Sequence, residues 1–376
     1  MKHDLPPQDQ RGTHDFARVQ TGALVIIAFA VVLFLLVQAR FLLISLATAI
    51  IVFSLTSDVI NFIARQRVGP FRIPNWLASV VAVLLISTAL FALTSLIVAQ
   101  INTVLLTTLS LSELAPSAVA SLFAWLGEDT QAAVLNSVRS IDFASYIRAL
   151  AGQAGDLTQG TVLVILFVGF LFAERIWFGT KLHNFIGDPE QAQRVGKIIS
   201  SIIHRVNYYL LVKTLISAVT GGMVFVAASA FGLDLAAALG IITFVLNFIP
   251  NVGSIVATAL LALVAHIQFA DGTATLILFL IGGSIQFVNG NIIDPWLMGR
   301  ALRLSSFGII ISLAFWAAVW GIPGMFLSVP IMVMLMVVCS HVPALRRVAI
   351  LMSREGLPET EKQLDESGDL FQKSRR

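Results

Sequence analysis

Charge is scarce in this sequence: Asp, Glu, Lys and Arg together supply only 12% of 376 residues, against 57% hydrophobic ones. Water-soluble domains carry roughly a quarter of their residues as charged side chains. The composition therefore excludes one and, with a mean hydropathy of +0.89, points to a membrane protein. Cysteine is rarer still. Cys339 stands alone, which excludes an intrachain disulfide framework and a multi-cysteine metal site. The chain has no HExxH pair and no GxxxxGK[ST] loop, so a zinc protease and a self-powered ATP pump lack their parts. Its histidines are scattered, with His3 and His14 in the N-terminal tail, His183 and His204 in the basic stretch 174–214, and His266 and His341 at the ends of apolar segments. No metal, no cofactor and no catalytic residue is expected, and the chain is read as a non-enzyme. The one enzymatic alternative is an intramembrane hydrolase using Ser284 or Ser328 with His341, and no nucleophile–base pair can be placed from the spacing.

What is present is a series of apolar runs, near 23–39, 41–60, 74–101, 160–178, 206–232, 235–266, 273–293 and 305–342. Several approach the roughly 20 residues that cross a hydrocarbon core about 30 Å thick. The expected fold class is an all-α polytopic membrane protein with about eight apolar segments. Residues 1–22 form a polar tail without the features of a signal peptide, so the first apolar run is read as an anchor. Residues 23–101 give three transmembrane helices and 102–159 an extracytoplasmic helical insertion. A transport core over 160–343 and a polar tail over 344–376 complete the chain. Within the core, Asp188-Pro189-Glu190 is a well-formed helix start, and 188–206 reads as a cytoplasmic amphipathic helix.

The net charge of +3 does not point to nucleic acid, because the positive residues follow the membrane. Residues 1–22, 61–73, 174–214, 294–304 and the tail from 344 hold all 24 Lys and Arg residues except Arg40, Arg139 and Arg148. Placing both termini in the cytoplasm puts those clusters inside. That agreement requires 235–266 and 305–342 to dip into the bilayer and return on the side they entered. Each arm is then about 15 residues, or roughly 22 Å, too short to cross unaided. The two runs are read as re-entrant helical hairpins of opposite orientation.

Their turns carry the breakers. Residues 247–254 read NFIPNVGS, and 320–324 read WGIPG. Pro250 removes a backbone donor and Gly253 tolerates unusual backbone angles, so one helix ends and another begins. Exposed backbone groups at such a break must line a wet cavity or be buried in protein. Asn247, Asn251 and Ser254 are suited to pair them, with Ser254 read as the N-cap of the second arm. Gly321, Pro323 and Gly324 form the second break. Two interrupted segments in opposed positions are the sequence pointer to a transporter's central site. Between them, Gln286 shares a helix face with Asn289 or Gly290, and is the residue expected to face the cavity at depth. Asn291 lies on the same segment. Asp294 is followed by Pro295, so the crossing is expected to end there, with Arg300 nearby and Asp294 a possible ion-coupling residue.

YYLLVKTLISAVTGG (208–222), FGLDLAAALGIITFVLNFIPNVGS (231–254), IQFVNGNIIDPWLMGRALRL (285–304) and WGIPGMFLSVPIMVML (320–335) closely resemble the autoinducer-2 exporter superfamily. The first turn looks most like its quorum-signal transport, permease-like branch. The resemblance implies an inner-membrane transporter of a small polar solute, in some members autoinducer-2, with a sodium/proton antiporter as the alternative. It also implies a homo-oligomer, a pentamer, with an elevator-like moving part. By position, Pro250 and Gly253 match the first turn. Gln286, Gly290, Asn291, Pro295 and Gly299 match the middle segment, and Gly321, Pro323 and Gly324 match the last turn.

Overall fold

The computed structural model describes residues 10–65, 67–68, 71–72, 75–111, 120, 127–139, 143–298, 304–354 and 356. Gly299, Arg300, Arg303, most of the C-terminal tail, and 112–119 and 121–126 of the insertion lie outside the described residues. Two long helices, α1 (Gln10–Gln38) and α2 (Arg40–Arg65), lead into a two-residue-per-strand hairpin, β1 (Arg67–Val68) with β2 (Phe71–Arg72). Then come α3 (Asn75–Leu111), α4 (Glu128–Arg139), α5 (Phe143–Ile186) and α6 (Pro189–Ala230). Apart from that hairpin and one bridge between Leu304 and Ser353, the described regular structure is helical. Among the described residues, seven helices are long and apolar enough to cross a membrane. Val25, Ile26, Phe29 and Phe34 on α1 are each more than half exposed, which hydrocarbon tolerates and water does not. The chain is an all-α polytopic membrane protein.

Helix α6 begins as its sequence dictates: Glu190 donates its backbone N–H to Asp188 Oδ1 at 2.9 Å, and Pro189 occupies the first turn. It does not end near residue 206. With no Gly or Pro between 197 and 220, nothing interrupts the hydrogen-bond ladder, and the amphipathic stretch and the crossing form one rod of 42 residues. At about 1.5 Å per residue the rod is roughly 63 Å long, about twice the hydrocarbon thickness.

The next pair, α7 (Ala236–Leu246) and α8 (Val252–Phe269), folds back at residues 247–251. Gln268 closes the open end, accepting the Asp234 N–H and donating to the Gly232 carbonyl, both at 3.0 Å. Ala236, Leu239, Leu261 and Ala265 fill the space between the arms. At the turn, the Val252 N–H reaches the Pro250 carbonyl at 2.7 Å across Asn251, whose φ is 60° and ψ −51°. This is the rare, strained form of γ-turn. It also corrects the expected cap: Asn251 precedes α8 without a side-chain cap bond, and Ser254 lies inside the helix, its carbonyl accepting from Thr258 Oγ1. A chain entering a helix through positive φ leaves no extended residue at the Ser254 position to act as a cap. Gly253 is required by proximity, since a Cβ there would stand 1.8 Å from the Leu246 carbonyl oxygen. Helices α6 and α7 also cross closely; a Cβ on Gly221 would come within 2.6 Å of the Gly240 carbonyl oxygen.

Helix α9 (Gly272–Val288) starts at Asp271, whose carboxylate accepts the N–H groups of Thr273 and Ala274 at 2.8 and 3.3 Å. The Thr273 bond, chiefly, holds that exposed carboxyl below its usual range. The segment does not end at Asp294. A single π-helical turn, Asn289–Ile293, passes into α10 (Asp294–Met298), with the Asp294 N–H bonded to the Asn289 carbonyl. Pro295 is accommodated because a first-turn position needs no backbone donor.

The last long helix, α11 (Ser306–His341), is broken at Gly321, where φ is 65° and ψ −141°, a region essentially confined to glycine. Its halves double back. Ser312 Oγ donates to the Ser328 carbonyl at 2.9 Å, and a Cβ on Gly308 would stand 2.3 Å from Met332 Cε. A Cβ on Gly324 would stand 2.0 Å from the Trp316 carbonyl oxygen. These pairs are symmetric about Trp320, the signature of two antiparallel arms. Trp320 donates its indole N–H to the Leu36 carbonyl of α1 at 3.0 Å. A short helix, α12 (Arg346–Met352), then packs back, with the Ser305 N–H bonded to the Met352 carbonyl at 2.9 Å.

Gly253→Ala and Gly324→Ala each should lower stability by about 3 kcal/mol, the cost of forcing atoms into a closed contact. Gly222→Ala, where an added methyl meets nothing within 4 Å, should be neutral. Thermal unfolding of the purified proteins in detergent checks both.

Candidate functional site: a buried polar cluster at the first helix break

The inner face of α6 carries Tyr209, Lys213, Ser217 and Thr220, each three or four residues from the next and therefore stacked along one side. All four are buried. The turn of the first folded-back pair meets this face: Asn247, 3% exposed, donates its side-chain amide to Ser217 Oγ at 3.0 Å. From the other side Asn289, at the start of the π turn, donates to Asn247 Oδ1 at 2.9 Å. Three elements are thus joined by a chain of neutral hydrogen bonds. The two broken helices also touch, because Phe248 of the first stacks on Phe326 of the second, with ring centroids 5.6 Å apart.

The cluster is not saturated. Gln286 Oε1 and Asn289 Oδ1 are buried without a partner, as are Asp294 Oδ1 and the Tyr209 hydroxyl. Each such atom costs about 1–3 kcal/mol when left unmade. A native fold retains several together where a ligand, an ion or water uses them. One full charge pair lies at the edge of the cluster: Lys213 Nζ is 2.8 Å from Asp294 Oδ2, with the lysine side chain 5% and the aspartate 25% exposed.

Of the residues singled out from sequence, Asn247, Gln286, Asn289 and Asp294 come together here. Gly253 and Gly324 are buried at helix contacts behind the cluster. Asn251, Asn291, Gly321 and Pro323 are exposed, and Asn291 donates to the Phe287 carbonyl of its own helix at 3.0 Å. Pro250 and Ser254 are half-buried at the turn. Asp294 has Lys213 as its counter-ion, and Arg300, expected nearby, lies outside the described residues. The charge count had assigned Lys213 to the cytoplasmic flank. The signal that could have found it is a lysine four residues after Tyr209 and four before Ser217 inside an apolar run. The hydrolase alternative gains no dyad: Ser328 Oγ donates to the Met325 carbonyl at 2.7 Å, while His341 Nδ1 sits 2.8 Å from the Val337 carbonyl.

Crossing helices, two of them interrupted, with a polar centre buried at the first interruption define a polytopic membrane protein of the broken-helix class. The AI-2E family transporter model matches residues 24–344, and the chain belongs to that family. It is 31% identical over 220 residues to a putative transport protein of Borreliella burgdorferi, a match covering 57% of this chain and 60% of that one. Against the AI-2 transport protein TqsA of Escherichia coli it is 31% identical over 205 residues, 54% of this chain and 58% of the relative. With the putative transport protein YrrI of Bacillus subtilis the figures are 29% over 177 residues, 47% and 50%. The chain spans about three-fifths of the length of the first two of these relatives.

Asp294→Asn leaves the Lys213 ammonium buried without a counter-charge and should cost about 3–5 kcal/mol. Adding Lys213→Met removes the orphaned charge and should recover most of that loss. A double-mutant cycle read by thermal unfolding checks the coupling.

Proposed function

We propose that this protein is a secondary transporter that exports a small polar, hydroxyl-rich solute of the autoinducer-2 type across the inner membrane. The observation that carries this reading is the set of unpaired buried acceptors, Gln286 Oε1 and Asn289 Oδ1, beside the hydrogen-bonded chain Ser217–Asn247–Asn289. Such a group of atoms suits a ligand rich in hydroxyl donors. Membership of the family and the printed function of the Escherichia coli relative support the same choice of solute class. In this reading α7–α8 and the two halves of α11 are re-entrant hairpins entering from opposite faces of the bilayer, with both chain termini in the cytoplasm. The solute passes where their turns meet, and access alternates as that bundle moves against α1–α5 within a homo-oligomer. The antiporter alternative is the weaker one, because the carboxylate it needs, Asp294, is already engaged by Lys213.

Efflux of labelled polar metabolites from vesicles should fall by about tenfold or more in Gln286→Leu and Asn289→Leu, since each removes a hydrogen bond worth about 1 kcal/mol and adds an apolar obstruction. Insertion and assembly should be unchanged. Efflux at the normal rate in both variants would remove the cluster from the pathway. Re-entry has its own test in a Cys339→Ala background. Asp234→Cys and Asp271→Cys should both react with an impermeant thiol reagent added outside, and labelling from opposite sides would mean a full crossing instead.

A further inference from the structure

The first half of α6 carries a basic stripe. Arg194, Lys197 and Arg205 fall on one side of the helix, because steps of three and four residues through Ser201 return to the same face. Arg194 and Lys197 are exposed, and Arg205 is half-buried with its Nε 3.5 Å from Ser201 Oγ. Glu190, at the helix start, is the only acid on α6. The stripe leads away from the bilayer. Since α6 is one rod and its apolar run begins near residue 206, Arg194 lies up to roughly 18 Å beyond that point at about 1.5 Å per residue. Lipid headgroup charge is screened within about 8 Å at physiological salt, so the outer part of the stripe calls for a counter-charge in water.

The chain supplies one close by. Leu304, Met352, Ile202 and Val206 belong to a single apolar cluster, and the Ser305 N–H bonds the Met352 carbonyl at 2.9 Å. The segment that follows α12 therefore starts beside the base of the stripe. Residues 355–371 hold six acids, Glu355, Glu359, Glu361, Asp365, Glu366 and Asp369, against Lys362 alone; apart from Gly356 they lie outside the described residues. The path from Ser353 to Glu361 reaches at most roughly 27 Å, and the stripe from Arg205 to Arg194 is roughly 16 Å long. The acids can therefore lie along all of it. We propose that the acidic segment 355–371 docks on the basic stripe Arg194–Lys197–Arg205 of its own chain. Each exposed pair contributes little alone. A segment tethered this closely is present at an effective concentration in the millimolar range, so several weak pairs together hold it. High salt releases it by screening.

Spin labels at Ser200→Cys, an exposed position of α6, and at Ser367→Cys, in a Cys339→Ala background, read the contact in the full chain by pulsed dipolar spectroscopy. The distance distribution should be narrow at about 50 mM salt and at least about twice as wide at about 1 M, where screening is complete within roughly 3 Å. Arg194→Glu/Lys197→Glu should be wide at low salt, and adding Glu361→Lys/Asp365→Lys should narrow it again. A distribution that salt leaves unchanged, that the reversal leaves narrow or that the swap fails to narrow overturns the proposal. So does one that is narrow in nanodiscs of phosphatidylcholine and wide in those of phosphatidylglycerol, which gives the stripe to lipid. Should either charge variant fail to fold, the salt series on the parent protein decides alone. No outcome involves solute movement, so each stands whatever the efflux assay gives.

Discussion

A backbone N–H or carbonyl without a partner costs several kcal/mol in hydrocarbon, and that constraint organises this molecule. Two helices are broken, at residues 247–251 and at Gly321. The chain answers at each break by bringing more protein to it. Gly253 and Gly324 let the arms close to backbone contact. Phe248, at the first break, stacks on Phe326 of the second broken helix. The side chains of Asn247 and Asn289 take up hydrogen-bonding capacity between the elements. Asn251, Gly321 and Pro323 at the tips stay exposed, so what is buried is the chain beside each tip, and at the first turn Asn247 belongs both to the turn and to the polar centre.

That centre combines two electrostatic regimes. Neutral amides and hydroxyls make bonds worth about 1 kcal/mol each, which rearrange at small net cost. The Lys213–Asp294 pair cannot be exchanged so easily, since separating buried charges costs several times more. The amide chain is thus the adaptable part and the ion pair the fixed part. The strained γ-turn at Asn251 lies at the tip of the first pair, close to the adaptable part.

The breaks were legible in the sequence because Pro250, Gly253, Gly321, Pro323 and Gly324 have no better reason to occur in apolar runs. The all-α membrane class followed from composition alone. Chemistry that depends on depth or on neighbours was not legible. Lys213 reads as a loop charge because a hydropathy boundary carries no information on what a side chain meets across a helix interface. Asp294 reads as a helix end because Pro295 disfavours helix before it, a conflict that the π turn Asn289–Ile293 removes. Ser254 reads as a cap by residue type, and the positive φ of Asn251 starts the helix before it, at Val252. The amphipathic stretch 188–206 reads apart from the crossing because its composition differs, though a change of composition does not end a helix, and neither Gly196 nor Gly221 does so here.

The uninterrupted length of α6 has a mechanical corollary. Gly221 and Gly240 pin its far end against α7 so closely that the two cannot slide past each other. The rod is gripped in its middle as well: Asn207 accepts from Ser54 Oγ and donates to the Ser54 carbonyl of α2, and Tyr209 packs among the core residues of α11. A helix fastened at both places moves as one body with the core around it.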